Sequence, residues 1–423
     1  MKLKNLELEC ENMTELNLTK ISQPDSFAAC TIVSKNYFAY ALTLRSSFLA
    51  TNPGGAFHIL LVDAKDRDFQ VEAGVDIVWV EDLAIPNFSS YAMRYDILEL
   101  NTNVKPTFLL SLLKKYHKVA YIDPDIKVFR PLDIIFDRLD DYSIVLTPHI
   151  VSPIEDDMKP GEVDFLINGQ FNLGFIAVSN TESAVKMLQW WQSRCLEQGY
   201  NEPSHGLFVD QRWINLVPCM FSGVFIEKSV GCNMAYWNLH ERLLGKNNGD
   251  WTVNQTEPLY FFHFSGLLLN DENDISKHQN RFNLVQRPEL KDLFSAYRQE
   301  LRDNGHLTFQ ALKYGFAKFT DGKLISSVAR RLYTIESFPV EKMSPFSAQS
   351  DFYRFCHRNG LFAAAGGAKS YNTYNTDHND IRLRIIRGGM KFAYRVLGVN
   401  KYPLLLKYMI YIASVRNQRN IFK

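Results

Sequence analysis

The sequence predicts an α/β fold: a mostly parallel central sheet flanked by helices, followed by a helical region. Three observations carry that reading. Short β-prone apolar runs alternate with stretches of helical spacing from residue 27 onward, one run ends at a proline between two carboxylates, and the alternation gives way to helices near residue 286. Strand and helix in alternation imply parallel pairing, because a parallel neighbour is reached only through a crossover.

After a lead-in over residues 1–25, the stretch 27–33 reads as a first buried strand, and Tyr37, Ala41, Leu44 and Phe48 give 37–50 helical spacing. Asn52-Pro-Gly-Gly55 stops that helix. Strands are expected at 57–63 and 75–80, then helices at 91–100 and 105–116, with Pro106 tolerated in a first turn. The apolar run 119–122 is the next strand, and Pro124, which has no N–H to give to a ladder, ends it with Asp123 and Asp125 at its carboxyl end. Strands at 143–147, 175–179 and 259–263 follow, with helices at 181–198, capped by Asn180 or Thr181, and at 209–216. The change near 286 divides an α/β domain, residues 26–286, from a helical accessory domain, residues 287–423.

A chain of 423 residues with 46% apolar and 22% charged content belongs with ordinary globular proteins, not with disordered or collagen-like ones. Six cysteines at 10, 30, 195, 219, 232 and 356 form no C-x-x-C pair, so a zinc ribbon and a disulfide scaffold are both disfavoured. The acidic start lacks the apolar core of a secretion signal, and 403–413, the most apolar run, is short and interrupted by Lys407. A cytoplasmic protein is expected.

Residues 381–423 hold ten Lys/Arg and no Asp/Glu, leaving 37 Lys/Arg against 46 Asp/Glu in the preceding 380 residues. Cations interleaved with Ile, Phe and Leu suit an interfacial helix on anionic lipid, and equally the solvated face of a packed helical domain. The acidic body argues against nucleic acid.

Open α/β sheets bind ligands at the carboxyl ends of their strands. Two carboxylates two residues apart at such a tip suit a hard divalent cation, which in turn suits the diphosphate of a nucleotide. The pattern alone is cheap, since Asp66-Arg67-Asp68 repeats it in a polar loop. Neither G-x-x-x-x-G-K-[ST] nor G-x-G-x-x-G after the first strand is present, so a metal must do what glycine-rich loops do elsewhere.

Five separated stretches, in order, carry a resemblance: 31–37 with its helix, 57–63, 121–128, Phe171-Asn-Leu-Gly174, and Asp210-Gln211 with Asn215, closed by His263-Phe-Ser-Gly266. Through them the chain resembles the metal-dependent GT-A glycosyltransferases, and among those the retaining glycosyltransferase family eight. The resemblance implies that Asp123, Asp125 and His263 hold manganese or magnesium against a nucleoside diphosphate sugar, UDP-linked by preference. It also implies that Thr31, Ser34, Asn36 and Tyr37 hold the nucleoside, and that Asp63 and Lys105 lie near the nucleotide. Asn172 would line the sugar pocket, and Asp210 and Gln211 would lie beneath the anomeric carbon, with Gln211 stabilising charge rather than taking a proton. Retention is implied, with the leaving phosphate deprotonating the attacking hydroxyl; Asp210 or Glu241 as the base of an inverting reaction stays open.

There are departures from the family. Pro124 replaces a small residue, and the usual Lys-Pro-Trp after the histidine motif is missing, leaving Lys277 or Arg281 to reach the diphosphate. The stretch 236–242 resembles bacterial relatives that build surface polysaccharides, where Trp237, Asn238 and His240 would meet a glycan or lipid-linked acceptor. Two readings of other classes compete: a haloacid-dehalogenase-type phosphohydrolase, which also places Asp-x-Asp at a strand tip, and an inactive sugar-nucleotide or lipid-binding relative.

Overall fold

Seven strands form the central sheet of the computed structural model, which describes residues 26–66, 68–336, 338, 343–364 and 381–418. They are β1 (Phe27–Val33), β2 (Ala56–Leu61), β3 (Asp76–Trp79), β4 (Lys118–Ile122), β6 (Ile144–Pro148), β7 (Phe171–Ser179) and β8 (Val224–Ile226); the short β5 (Ile126–Val128) lies apart. The spatial order is β8-β6-β7-β4-β1-β2-β3, and only β7 runs against its neighbours. The expected mostly parallel sheet is therefore present. Its antiparallel member was too short in the sequence reading, because Asn172 and Gly174 interrupt the apolar run although all nine residues of β7 are buried.

A second, three-stranded sheet positions the site. In it β9 (Met234–Ala235) pairs in parallel with β10 (Phe261–His263), and β10 pairs antiparallel with β5, setting His263 opposite Ile126. The turn Asp123-Pro-Asp125 joins β4 to β5, as the proline required.

The chain divides into two compact units. The first takes the chain up to Val62, Asp66–Leu83 and Asn101–Leu312. Its sheet core packs Ala29, Val33, Leu61 and Ile122 with Phe38, Ala41, Leu44 and Phe48 of helix α1 (Phe38–Thr51). A second cluster sets Leu293, Phe294, Tyr297 and Leu301 of helix α2 (Lys291–Asp303) against Phe262 and Phe264. That apolar face carries the first unit past residue 286, where composition changes, to Leu312. The second unit takes Asp63–Lys65, Ala84–Leu100 and the chain from Lys313, around Phe319, Leu332, Phe352 and Cys356. In it the buried Arg330 guanidinium donates to the carbonyls of Ala92, Tyr95 and Phe316. The same unit contains helix α3 (Ile381–Ala413), which has no buried residue and breaks at Gly398, where φ is 69°. No described helix is long and apolar enough to cross a membrane.

Phe294 is fully buried and meets both Phe262 and Phe264 edge-on. Phe294→Ala should cost about 3–5 kcal/mol, read as a lower urea midpoint at unchanged slope.

Candidate metal centre

Two backbone hydrogen bonds set the geometry. Asp123 N–H donates to the Gly174 carbonyl at 2.7 Å, tying the end of β4 to β7, and Phe264 N–H donates to the Asp125 carbonyl at 2.8 Å, tying the acidic turn to the end of β10. The result is that Asp123, Asp125 and His263 each offer one ligand atom, all within 4.8 Å of one another. His263 Nε2 stands 2.9 Å from Asp125 Oδ1 and 3.8 Å from Asp123 Oδ2. Two carboxylate oxygens and one imidazole nitrogen at this spacing fit a divalent cation. Gly174 is required for close approach: a Cβ there would come within 2.5 Å of His263 Cε1 and 2.9 Å of Asp123 Oδ2.

Electrostatics separates the two carboxylates. Burial raises the Asp123 carboxyl, against the pull of Lys105 and His263. Burial also opposes charge on Asp125 and His263, but their contact overrides it, holding Asp125 below the usual carboxylate range and His263 above the usual imidazole value. Their facing atoms stand 2.9 Å apart, so each favours the charged form of the other.

Lys105 and Asp210 lie beneath. The Lys105 ammonium is buried, 2.7 Å from Asp210 Oδ2; it donates to the Leu173 carbonyl at 2.8 Å and sits 4.1 Å over the Tyr121 ring. Tyr121 in turn donates to Asp123 Oδ1 at 2.5 Å. Burial raises the Asp210 carboxyl, with Lys105 pulling the other way. Gln211 accepts from Leu173 N–H and donates to the Asn168 carbonyl, both at 3.0 Å, so its amide pins the segment leading into β7.

Asn172 is turned into the protein interior. Its Oδ1 lies 3.3 Å from both His263 Nδ1 and Asn233 Nδ2, and its Nδ2 lies 3.3 Å from His149 Nε2. His149 and Asn233 are buried members of the site that the sequence reading missed, since neither belongs to a quoted motif.

Other expected residues are placed less simply. Thr31 is buried, and Ser34 donates to the Val62 carbonyl while accepting from Asn101, each at 2.8 Å. Asn36 is half-buried, and the exposed Tyr37 stacks on Tyr40 at 4.6 Å. Asp63 belongs to the second unit, where its buried Oδ1 accepts from Ala64 and Gly315 N–H at 2.9 and 2.7 Å. Lys277 is exposed, whereas Arg281 is buried and clamped on Asp156, which removes it as a diphosphate ligand. Two of the expected acceptor residues are engaged inside the fold. Trp237 is buried edge-on to His263 at 5.1 Å, and Asn238 spends its amide on Ala235 N–H and the carbonyls of His149 and Asn233. His240 is half-buried, 3.4 Å from the Ser152 carbonyl. Glu241 accepts from Val151 N–H, Ser152 N–H and the Ser152 hydroxyl.

Among solved structures the chain is similar to glycosyltransferases. One is the galactosyltransferase LgtC in complex with donor and acceptor sugar analogs, 15% identical with a TM-score of 0.40, covering 65% of this chain and 95% of that one. Another is the glycosyltransferase GlyE of Streptococcus pneumoniae TIGR4, 13% identical with a TM-score of 0.39, covering 70% of this chain and 66% of that one. In sequence the chain is similar to two proteins of Bacillus subtilis strain 168: uncharacterized protein YfnF, 28% identical over 259 residues, 59% of this chain and 84% of YfnF; and uncharacterized protein YfnD, 27% identical over 259 residues, 59% of this chain and 81% of YfnD. No family model matches.

A cation entering this site competes with protonation of His263 at Nε2. Because the His263 value is raised from 6.5, Mn2+ affinity should strengthen as pH rises through a window above 6.5 and weaken below it. Calorimetry in buffers of different ionisation enthalpy should show about one proton released per ion. A pH-independent affinity would show that the imidazole is not a ligand.

Proposed function

We propose that this protein is a glycosyltransferase that moves a sugar from a nucleoside diphosphate sugar, UDP-linked by preference, to a glycan, lipid-linked or protein acceptor. The observation that carries the reading is the convergence of Asp123, Asp125 and His263 at the carboxyl end of β4. Manganese or magnesium held there supplies a Lewis acid that offsets charge on the departing diphosphate. Asp123 and Asp125 provide the negative charge that holds it, and His263, fixed between Asn172 and Trp237, provides the third ligand. Lys105 keeps Asp210 and the Asp123-Tyr121 pair in place from below.

Two engaged carboxylates support retention. Asp210 is paired with a buried ammonium and Glu241 holds the loop at 151–152, so both carboxylates are already engaged inside the fold. The leaving phosphate is then the base. The haloacid-dehalogenase reading predicts phosphatase activity on simple phosphomonoesters, and the inactive-relative reading predicts binding of sugar nucleotide without release of diphosphate.

The same reading places the protein at the inner face of a membrane. Helix α3 carries Arg382, Arg384, Arg387, Lys391, Arg395, Lys401 and Lys407 with no Asp or Glu, and exposes Ile385, Phe392, Val396 and Ile410. Such a surface suits anionic lipid.

Asp125→Asn should abolish UDP release from a UDP-sugar while leaving the far-UV spectrum unchanged. Manganese with UDP should raise the melting temperature of the natural protein and not of the variant; equal shifts in both would defeat the metal reading. Deletion of residues 381–423 should weaken binding to anionic vesicles, and binding by the full chain should fall with salt. Retained, salt-insensitive binding would assign the membrane contact elsewhere.

A further inference from the structure

His149 is joined to the metal ligands by a single amide. Its Nδ1 lies 3.3 Å from the Gln170 carbonyl, which can only accept, so that nitrogen carries the proton. A neutral imidazole has one proton, which leaves Nε2 bare; burial, which pushes His149 down to about 4, keeps it so at neutral pH. A bare Nε2 can only accept. Asn172, 3.3 Å away, must therefore turn its NH2 to His149 and its carbonyl oxygen to the opposite side.

On that side stand two further nitrogens, Asn233 Nδ2 and His263 Nδ1, each 3.3 Å from Asn172 Oδ1. The oxygen accepts from both, and the His263 proton that it holds is the one on Nδ1. Nε2 is left as the nitrogen that faces Asp125 and Asp123. With the amide reversed, Asn172 would set its NH2 against that of Asn233 and would want a bare Nδ1 on His263, leaving a proton on Nε2 in the cation's place. The arrangement has no slack, since Gly174 is needed to give Asn172 Oδ1 and His263 Cε1 room.

We propose that His149 is a positioning residue: by fixing which way round the Asn172 amide sits, it keeps the remaining proton of His263 on Nδ1 and frees Nε2 for a divalent cation. The inference rests on the reading of Asp123, Asp125 and His263 as ligands. Metal-ligating histidines are commonly held this way through their second nitrogen, and loss of such a partner typically weakens metal affinity about 10–100-fold.

The test uses the full chain labelled with 15N-histidine and, separately, calorimetry with Mn2+. In the metal-free protein at neutral pH the ring of His149 should be neutral with its proton on Nδ1; a proton on Nε2, alone or together with Nδ1, overturns the proposal without any variant. His149→Phe keeps the ring that stacks on Phe165 at 5.1 Å and removes both nitrogens. It should lower Mn2+ affinity about 10–100-fold. Adding Asn172→Asp should recover affinity, because a carboxylate accepts at either oxygen and needs no orienting. Natural affinity in His149→Phe, or a double variant as weak as the single one, overturns the inference. A natural protein that binds no Mn2+ sinks the metal reading instead, and the ring spectrum still reports on His149.

Discussion

The structure depends on two backbone hydrogen bonds at the end of β4. One runs from Asp123 N–H to the Gly174 carbonyl and the other from Phe264 N–H to the Asp125 carbonyl. They join three strands that lie far apart in sequence, and the three candidate ligands sit on or beside the joined residues. Main-chain bonds of this kind fix position more tightly than long side chains can. A carboxylate on a two-bond stem, set on a tied backbone, has little freedom to miss its target.

Around that seam, charge is arranged in layers. Asp123 and Asp125 stand next to each other at the partly open top, where a cation would offset their repulsion. Beneath them Lys105 pairs with Asp210, both out of water, and touches Tyr121, which bonds Asp123. A buried charge without a partner is strongly destabilising. Lys105 and Asp210 therefore satisfy each other first.

Much of this was legible in the sequence because the local rules are strong. The apolar run 119–122 and Pro124 fix where β4 stops and so where both carboxylates emerge, and Phe27–Val33 was placed at its observed bounds. What was not legible depends on contacts distant in sequence. β5 has three residues and owes its strand character to pairing with β10, so no window of apolar spacing announces it. Asn172 reads as a sugar ligand in the chain, but in the fold His149 and Asn233 claim its amide. Trp237 and Asn238 read as contacts for an acceptor sugar, and in the fold they are buried against the histidines. In each case a polar or aromatic side chain reads as a ligand contact because its buried partner lies tens of residues away.

Tyr297, on α2, lies face to face with Phe264 at 3.8 Å with the rings 8° from parallel. Phe264 is the residue after His263, so a helix nearly thirty positions downstream sets the floor on which the imidazole's neighbour rests. The sheet and this helix cannot be exchanged as independent modules. A graft that ended the α/β half at the composition break would carry all three candidate ligands and still leave the last of them without its keel.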